Sequence, residues 1–110
     1  MTRREDFARV KTTGQAKAGR FVILSTLPDP SLATIRTGFI TTKRSGKAHD
    51  RSLLRRRFRS LVQMHAPEFV EIRRYLVTIA RPGASEATFA ELEADWVRQA
   101  RRLGLFASKS

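Results

Sequence analysis

One segment constrains the fold of this chain more than any other: an arginine-rich stretch that carries a narrow apolar stripe. From position 54 the apolar side chains recur with the i, i+4, i+7, i+8 spacing of a helix that buries one face. They are Leu54, Phe58, Leu61 and Val62. Asp50 can cap this helix, because its carboxylate can accept a hydrogen bond from a free N–H of the first turn. Since Pro67 opposes continuation, the pattern predicts an amphipathic helix over 50–65.

The same segment holds most of the net positive charge. The whole chain carries +12, and residues 43–59 contribute +7, from eight basic side chains against the single acid Asp50. Arginines one turn apart weaken an isolated helix by roughly 0.2–0.5 kcal/mol per pair, so folding alone does not explain them. A guanidinium donates two hydrogen bonds to a phosphate and stays charged at any working pH. The segment therefore predicts a surface for a polyanion; a solvated basic face is the alternative.

The loop before this helix extends the basic surface. Gly46 permits a close approach of the backbone, and the free N–H groups of a helix N-terminus favour an anion. Loop and helix are together expected to form one continuous phosphate-binding surface. Its predicted cations are Lys43, Arg44, Lys47, Arg51, Arg55, Arg56 and Arg59.

Three segments rich in β-branched and aromatic residues predict strands. They are residues 21–27, 35–42 and 75–81. The first two are expected to pair antiparallel, because a turn at 28–31 and a short connection separate them. Between Gly14 and Gly19 the chain predicts a basic loop.

Capping signals predict two further helices. Thr2 and Glu5 have capping-box spacing ahead of a helix over 2–12. Thr88 and Glu91 repeat that spacing at the start of a final helix, and Gly104 is suited to the position just after its end. The predicted order is αββαβα, which is an α+β fold: a two-layer sandwich with helices packed on a small sheet.

Length and composition narrow the class of protein. A chain of 110 residues predicts a single domain over 1–110 with one modest core. It has no cysteine, so no disulfide or thiolate metal site is expected. No apolar run reaches the roughly 18 residues of a membrane span, and residues 1–10 lack the apolar region of a signal peptide. These observations predict a cytoplasmic protein.

No residue pattern predicts an active site in the protein itself. His49 and His65 are the only histidines, and neither has a second ligand at metal-binding spacing. Acidic residues gather near the final helix, but two-metal nucleases need carboxylates that converge on paired ions. These acids are better interpreted as charges that complement the helix dipole. They are Glu86, Glu91, Glu93 and Asp95.

The order of motifs resembles the protein subunit of bacterial ribonuclease P. That family has a glycine-containing strand, a Lys-Lys/Arg-x-Gly-x-Ala loop and then an Arg-Asn-x-x-Lys-Arg-x-x-Arg helix. The matching residues here are Gly38, Lys43-Arg44-Ser45-Gly46-Lys47-Ala48, Arg51-Ser52, Arg55-Arg56 and Arg59. The resemblance covers nearly the whole chain, but Ser52 stands where the family usually has Asn. Lys11 and Ser25 stand where many relatives have aromatic residues.

The resemblance implies a fold similar to domain 2 of ribosomal protein S5, with a rare left-handed βαβ crossover. It also implies that an RNA subunit hydrolyses the phosphodiester bond with Mg²⁺, while the protein binds that RNA and the 5′ leader of precursor tRNA. No protein partner is expected to be required. The implied RNA-subunit-binding residues are Lys43, Arg44, Lys47, Arg51, Ser52, Arg55, Arg56 and Arg59. The implied leader-binding residues are Phe7, Lys11 and Ser25, with Phe7 stacking on a base; from the residues alone, Phe7 could equally pin its helix to the sheet.

Two other functions are alternatives to this interpretation. A ribosomal or general RNA-binding protein without a processing role would have the same composition. A helix-turn-helix DNA-binding protein would need two adjacent short helices, and the strands predicted on either side of the arginine helix argue against it.

Overall fold

The computed structural model describes residues 4–106 of the chain. The main elements are α1 (Arg4–Thr13), β1 (Gln15–Ala18), β2 (Val22–Pro28), β3 (Arg36–Ile40), α2 (Ala48–His65), β4 (Arg74–Ala80) and α3 (Phe89–Arg102). The predicted α+β class is confirmed: three helices pack on a four-stranded mixed sheet. The expected order αββαβα lacked one strand, β1.

The order of strands in the sheet is β1-β2-β4-β3. β2 pairs antiparallel with β1 and with β4, whereas β3 pairs only with β4 and runs parallel to it. The expected antiparallel pairing of 21–27 with 35–42 is therefore wrong, because β4 lies between these strands. Six of the seven β4 residues are buried, and a strand that is apolar on both faces is best covered at the centre of a sheet. The crossover from β3 through α2 joins parallel neighbours; its left-handedness stays a prediction.

β1 forms in the segment for which a basic loop was predicted. It pairs with β2 from Gln15 opposite Thr26 to Ala18 opposite Ile23, and all four of its residues are exposed. A fully exposed edge strand has no apolar alternation, so the sequence pattern carries no signal for it. Gly14 allows the approach, because a Cβ there would lie 2.4 Å from the carbonyl oxygen of Thr26.

Each face of the sheet carries its own core. On one face α2 and α3 pack against β2 and β4, around Phe58 and Trp96, which are fully buried. The predicted apolar stripe of α2, Leu54, Phe58, Leu61 and Val62, is buried there as expected. On the other face α1 covers a smaller cluster, in which Val10, Tyr75 and Val77 are buried. The two helical layers thus present different surfaces on opposite sides of the sheet.

The helix ends follow the predicted chemistry at α3 and depart from it at α2. At α3 the Thr88 N–H donates to Glu91 at 2.9 Å and the Glu91 N–H donates to Thr88 Oγ1 at 3.1 Å, as expected. At α2 the N-cap is Lys47 and not Asp50. Asp50 is the third helical residue, and its carboxylate accepts a hydrogen bond from the Lys47 N–H at 3.2 Å. The helix begins earlier because a carboxylate three residues inside can also satisfy the first free N–H. The predicted capping residue Thr2 lies outside the described residues.

Candidate nucleic-acid interface

Arg55 is the best-oriented cation of α2. Its Nη1 donates to Thr41 Oγ1 at 2.7 Å and its Nη2 donates to Ser52 Oγ at 3.2 Å. Both partners are hydroxyls, so the guanidinium keeps its full positive charge while its direction is restrained. Ser52 therefore lies in the predicted surface as a partner of Arg55, at the position where the family usually has Asn.

Arg56 and Arg59 project from the same part of the helix and are exposed. The Arg59 guanidinium lies 5.8 Å from the centre of the Phe39 ring, and that ring packs against Phe58 with 6.4 Å between centres. The aromatic pair connects the buried stripe of α2 to the cation above it, and a cation–π contact of this kind restrains the guanidinium without neutralising it.

Arg57 has a different role. Its Nη1 donates to the carbonyl oxygen of Ala87 at 3.2 Å, and the side chain is half-buried between α2 and the segment that precedes α3. Arg57 therefore joins parts of the fold, and it is not among the predicted RNA-binding residues.

The loop before α2 is held by Ser45. The Ser45 hydroxyl donates to the Thr42 carbonyl at 2.6 Å and accepts from the Thr42 N–H at 3.0 Å, and the residue is buried. Gly46 follows with φ at 134°, a value that L side chains rarely adopt. This restrained turn places the exposed cations at the N-terminus of α2. They are Lys43, Arg44 and Lys47.

An open groove lies where this loop meets α2 and the turn before α3. It is lined by Lys43, Gly46, Lys47, Asp50, Arg51, Ser85 and Glu86. Arg51 is half-buried in it, and its Nε is shielded from solvent and finds no hydrogen-bond partner among residues 4–106. Asp50 and Glu86 make this the one part of the predicted surface with acidic neighbours on the described chain.

None of the predicted α2 or loop cations forms an ion pair within 4.0 Å across the described part of the chain. The pairs found there join Arg9 to Asp29, Arg73 to Glu71, and His65 to both Glu68 and Glu93. Acids of the described chain therefore do not neutralise the cations of the predicted surface through ion pairs.

The predicted leader-binding residues lie on the opposite side of the sheet. Phe7 is half-buried and packs against the cluster that contains Val10 and Val77. Ser25 is 9% exposed and stands opposite Val77 in the β2–β4 pairing, so it shares that face. Lys11 is exposed, one helical turn after Phe7. The two predicted sets of residues thus form two separate surfaces.

Two arginines of the α1 side were missed by sequence reasoning. The Arg9 guanidinium lies 5.4 Å from the centre of the Tyr75 ring, and its Nη2 contacts Asp29 at 3.3 Å. Arg36 is exposed on β3 and pairs with Tyr75 in the sheet. Because strand neighbours share a face, Arg36 lies on the α1 side. The alternation of Arg36, Gly38 and Ile40 along a strand could have predicted which face Arg36 lies on. No sequence pattern predicted the position of Arg9.

Three of the four acids near α3 make specific contacts within the fold. Glu91 completes the cap, Glu93 accepts from His65 Nε2 at 2.8 Å, and Asp95 accepts from the backbone N–H groups of 20–22 at 2.8–3.2 Å. The expectation that all these acids complement the helix dipole is thus too simple, because the tertiary fold uses Glu93 and Asp95 for specific contacts. Burial lowers the pKa of His65, but the carboxylates of Glu68 and Glu93 outweigh it and raise the pKa above its ordinary value.

Neither metal-binding clusters nor spanning helices occur in the described chain. Within residues 4–106 no group of three or more His, Asp or Glu side chains is placed to hold a metal ion. Over the same residues, no helix combines the length and apolar character needed to cross a membrane.

Fold and surface together define a class: a small basic α+β protein that displays unpaired arginines on a sheet-backed helix. The sequence profile described as Ribonuclease P matches residues 1–104. The chain therefore belongs to the ribonuclease P protein family.

Relatives agree with this assignment, and solved structures share the fold. The ribonuclease P protein component of Thermus thermophilus is 39% identical over 93 residues, which is 84% of this chain and 52% of the relative. The Chloroflexus aggregans component is 33% identical over 98% of this chain and 79% of its own length. The chain thus spans about half the length of the Thermus relatives. The RNase P proteins of Staphylococcus aureus (TM-score 0.88, 20% identity, 97% and 96% of the two chains) and Thermotoga maritima (TM-score 0.76, 19% identity, 86% and 88%) share the fold.

Proposed function

We propose that this protein is the protein component of ribonuclease P, supporting the removal of the 5′ leader from precursor tRNA by a catalytic RNA subunit. Membership of the ribonuclease P protein family supports a role in tRNA processing. The observation that carries the proposal is the row of α2 arginines, oriented by hydroxyl and aromatic contacts and free of ion pairs among residues 4–106. Such a surface suits a folded polyanion, because a planar guanidinium binds phosphate through paired hydrogen bonds.

In this proposal the α2 surface binds the phosphates of the RNA subunit. Arg55, Arg56 and Arg59 act from the helix, and the restrained loop adds its lysines and Arg44 at the helix N-terminus. Each phosphate that they neutralise releases condensed counterions, so affinity should fall with salt in proportion to the number of contacts. Arg51 would contribute its positive charge from within the groove.

The leader of precursor tRNA would bind on the α1 side of the sheet. Phe7 supplies a ring for stacking on an unpaired base, a contact worth about 1–3 kcal/mol per base in other proteins. Lys11, Arg9 and Arg36 would supply positive charge along the same face. Ser25, on β2, would supply a hydroxyl there. The separation of the two surfaces by the sheet would let one protein hold the catalytic RNA and the substrate at once.

Mg²⁺ enters this proposal through the RNA subunit, where it would supply the charge stabilisation for hydrolysis of the phosphodiester bond. The described residues of the protein offer no cluster of ligands for it. The protein's own contribution is positive charge: by neutralising phosphates it would lower the Mg²⁺ concentration at which RNA and substrate associate. No step is assigned to a protein side chain as acid, base or nucleophile.

Reconstitution tests this function. The protein is added to its cognate RNA subunit, and cleavage of precursor tRNA is measured at low Mg²⁺. Cleavage that depends on the protein supports the proposal. Cleavage that is unaffected, with RNA still bound, would favour the alternative of an RNA-binding protein without a processing role. Processing by the purified polypeptide free of RNA would overturn the assignment of catalysis to RNA.

A further inference from the structure

Arg74 is a buried cation that the proposed RNA-binding and leader-binding surfaces do not use. It is 8% exposed at the start of β4. Its Nε donates to the carbonyl oxygen of Glu71 at 2.9 Å, and its Nη1 donates to Thr26 Oγ1 at 3.2 Å. The Thr26 hydroxyl in turn donates to the Tyr75 carbonyl at 2.8 Å. The guanidinium is therefore held in one position by groups that carry no net charge.

The charge of Arg74 is not balanced by an acid. Across residues 4–106 no carboxylate forms an ion pair with it, and the carboxylate of the nearby Glu71 is held by Arg73 at 2.9 Å. Burial lowers the pKa of Arg74, and the Glu71 charge opposes this only in part. A buried charge without a partner is costly, whereas the unpaired arginines of α2 are in contact with solvent.

Arg74 forms part of the lining of a small cavity. Nη2 makes no hydrogen bond within the described chain, and Arg74 lines a cavity of about 220 Å³. Gln15 lines the same cavity and stands opposite Thr26 in the β1–β2 pairing, so its amide lies on the same face as Arg74. Leu103 adds an apolar residue to the lining. The cavity is smaller than the pockets that hold drug-sized ligands.

We propose that this cavity is an oxyanion site that takes a single phosphate group. Arg74 provides the charge and a free N–H donor, and Gln15 provides amide donors beside it. The phosphate is either free in solution or the terminal phosphate of a nucleotide chain. A tetrahedral oxyanion is small enough to enter the cavity, and its charge would offset that of Arg74. The site rests on geometry at the start of β4, so it stands independently of the proposed function.

The test is a site-resolved titration of the intact protein. Sodium phosphate is titrated at constant ionic strength against sodium chloride, and backbone and Arg Nε–H signals are followed by ¹⁵N NMR. Saturable shifts at Arg74, Gln15 and Leu103, beyond those that chloride causes, support the proposal. Their absence in the wild-type protein, with shifts confined to the α2 arginines, would overturn it and leave the proposed RNA-binding function untouched.

Substitutions test whether Arg74 supplies the positive charge that binds the phosphate. Arg74→Gln should weaken phosphate binding at these signals about tenfold or more, as expected for loss of a charge-assisted contact. The matched control is Arg73→Gln, which removes the neighbouring arginine, exposed and paired with Glu71. It should change the affinity less than about twofold, since it lies outside the cavity. If Arg74→Gln does not fold, the phosphate titration of the wild-type protein still decides whether the cavity binds an oxyanion.

Two further ligands distinguish the source of the phosphate. A 5′-phosphorylated dinucleotide and the same dinucleotide with a 5′-hydroxyl are titrated in parallel. Shifts at Arg74 and Gln15 with the phosphorylated form alone identify a terminal phosphate as ligand. Shifts with inorganic phosphate but with neither dinucleotide identify a free oxyanion. Equal shifts with both dinucleotides and none with phosphate would contradict an oxyanion site.

Discussion

The middle of α2 and its C-terminal end use their polar residues in opposite ways. In the middle, Arg55, Arg56 and Arg59 contact hydroxyls, an aromatic ring or solvent, and no acid lies within ion-pair distance of them among residues 4–106. At the C-terminal end, His65 is held by Glu68 on Nδ1 and by Glu93 on Nε2, and its ring packs with those of Trp96 and Phe106. The middle of the helix leaves its charge unpaired, whereas the C-terminal end uses its polar groups within the fold, so substitutions should separate binding from stability.

The largest effect should come from reversing charge in the middle of α2. Arg55→Glu, Arg56→Glu and Arg59→Glu together should lower affinity for the RNA subunit by about a thousandfold or more, because each lost phosphate contact also becomes a repulsion. Unfolding temperature should change little, since none of these cations is ion-paired with an acid. Filter binding at physiological salt and circular dichroism measure the two quantities.

The matched control reverses three exposed basic residues elsewhere, Lys17, Arg98 and Arg101, and so changes the net charge equally. It should lower affinity far less. Equal losses in both triple variants would mean that overall charge and not the α2 surface governs binding.

A smaller effect, on stability alone, is expected from the acid that connects α3 to β2. Asp95 accepts from the N–H groups of Phe21 at 2.8 Å and Val22 at 3.1 Å, and Gly19 lies so close that a Cβ would sit 2.2 Å from it. Asp95→Ala should lower the free energy of unfolding by about 2–4 kcal/mol, because buried donors lose their acceptor. Urea denaturation measures this. A marked loss of RNA affinity by the folded variant would contradict the division of roles.

His65 should make the free energy of unfolding depend on pH. Its pKa is raised in the folded state by Glu68 and Glu93, so the charged form is favoured by folding. The contribution, on the order of 1 kcal/mol for a charge-assisted contact, should be complete below the unfolded pKa of about 6.5. It should be lost as pH rises through the folded pKa.

The measurement compares the unfolding free energies of the wild-type protein and His65→Gln across this range of pH. The difference should shrink with rising pH. A difference that is constant or grows with pH would show that His65 acts through packing alone.

The smallest effect should come from Ser52, which restrains Arg55 at 3.2 Å. Ser52→Ala should weaken binding of the RNA subunit about two- to fivefold, because Arg55 keeps its bond to Thr41 and loses only part of its orientation. Ser52→Asn restores the residue usual in the family. A gain above about tenfold in that variant would show that an RNA contact is missing here, because a direct polar contact is worth more than orientation alone.

Local features of this protein could be predicted from its sequence. The buried stripe of α2, the reciprocal cap of Thr88 and Glu91, and the accumulation of charge between 43 and 59 all depend on residues within a few positions of one another. The start of α2 was misplaced because Asp50 acts from inside the helix, where the same carboxylate chemistry is available. The sites of RNA contact remain predictions, since they depend on a partner.

What the sequence by itself determined was therefore the set of helices, most of the strands and the concentration of positive charge, because spacing and side-chain chemistry act locally. Only the tertiary structure decided that β4 lies between β2 and β3, that Gln15–Ala18 adds an edge strand, and that Arg57 and Arg74 are taken into the fold while Arg55 stays available. Strand order and the burial of a charge depend on which distant residues meet, and that is settled by packing both faces of the sheet at once.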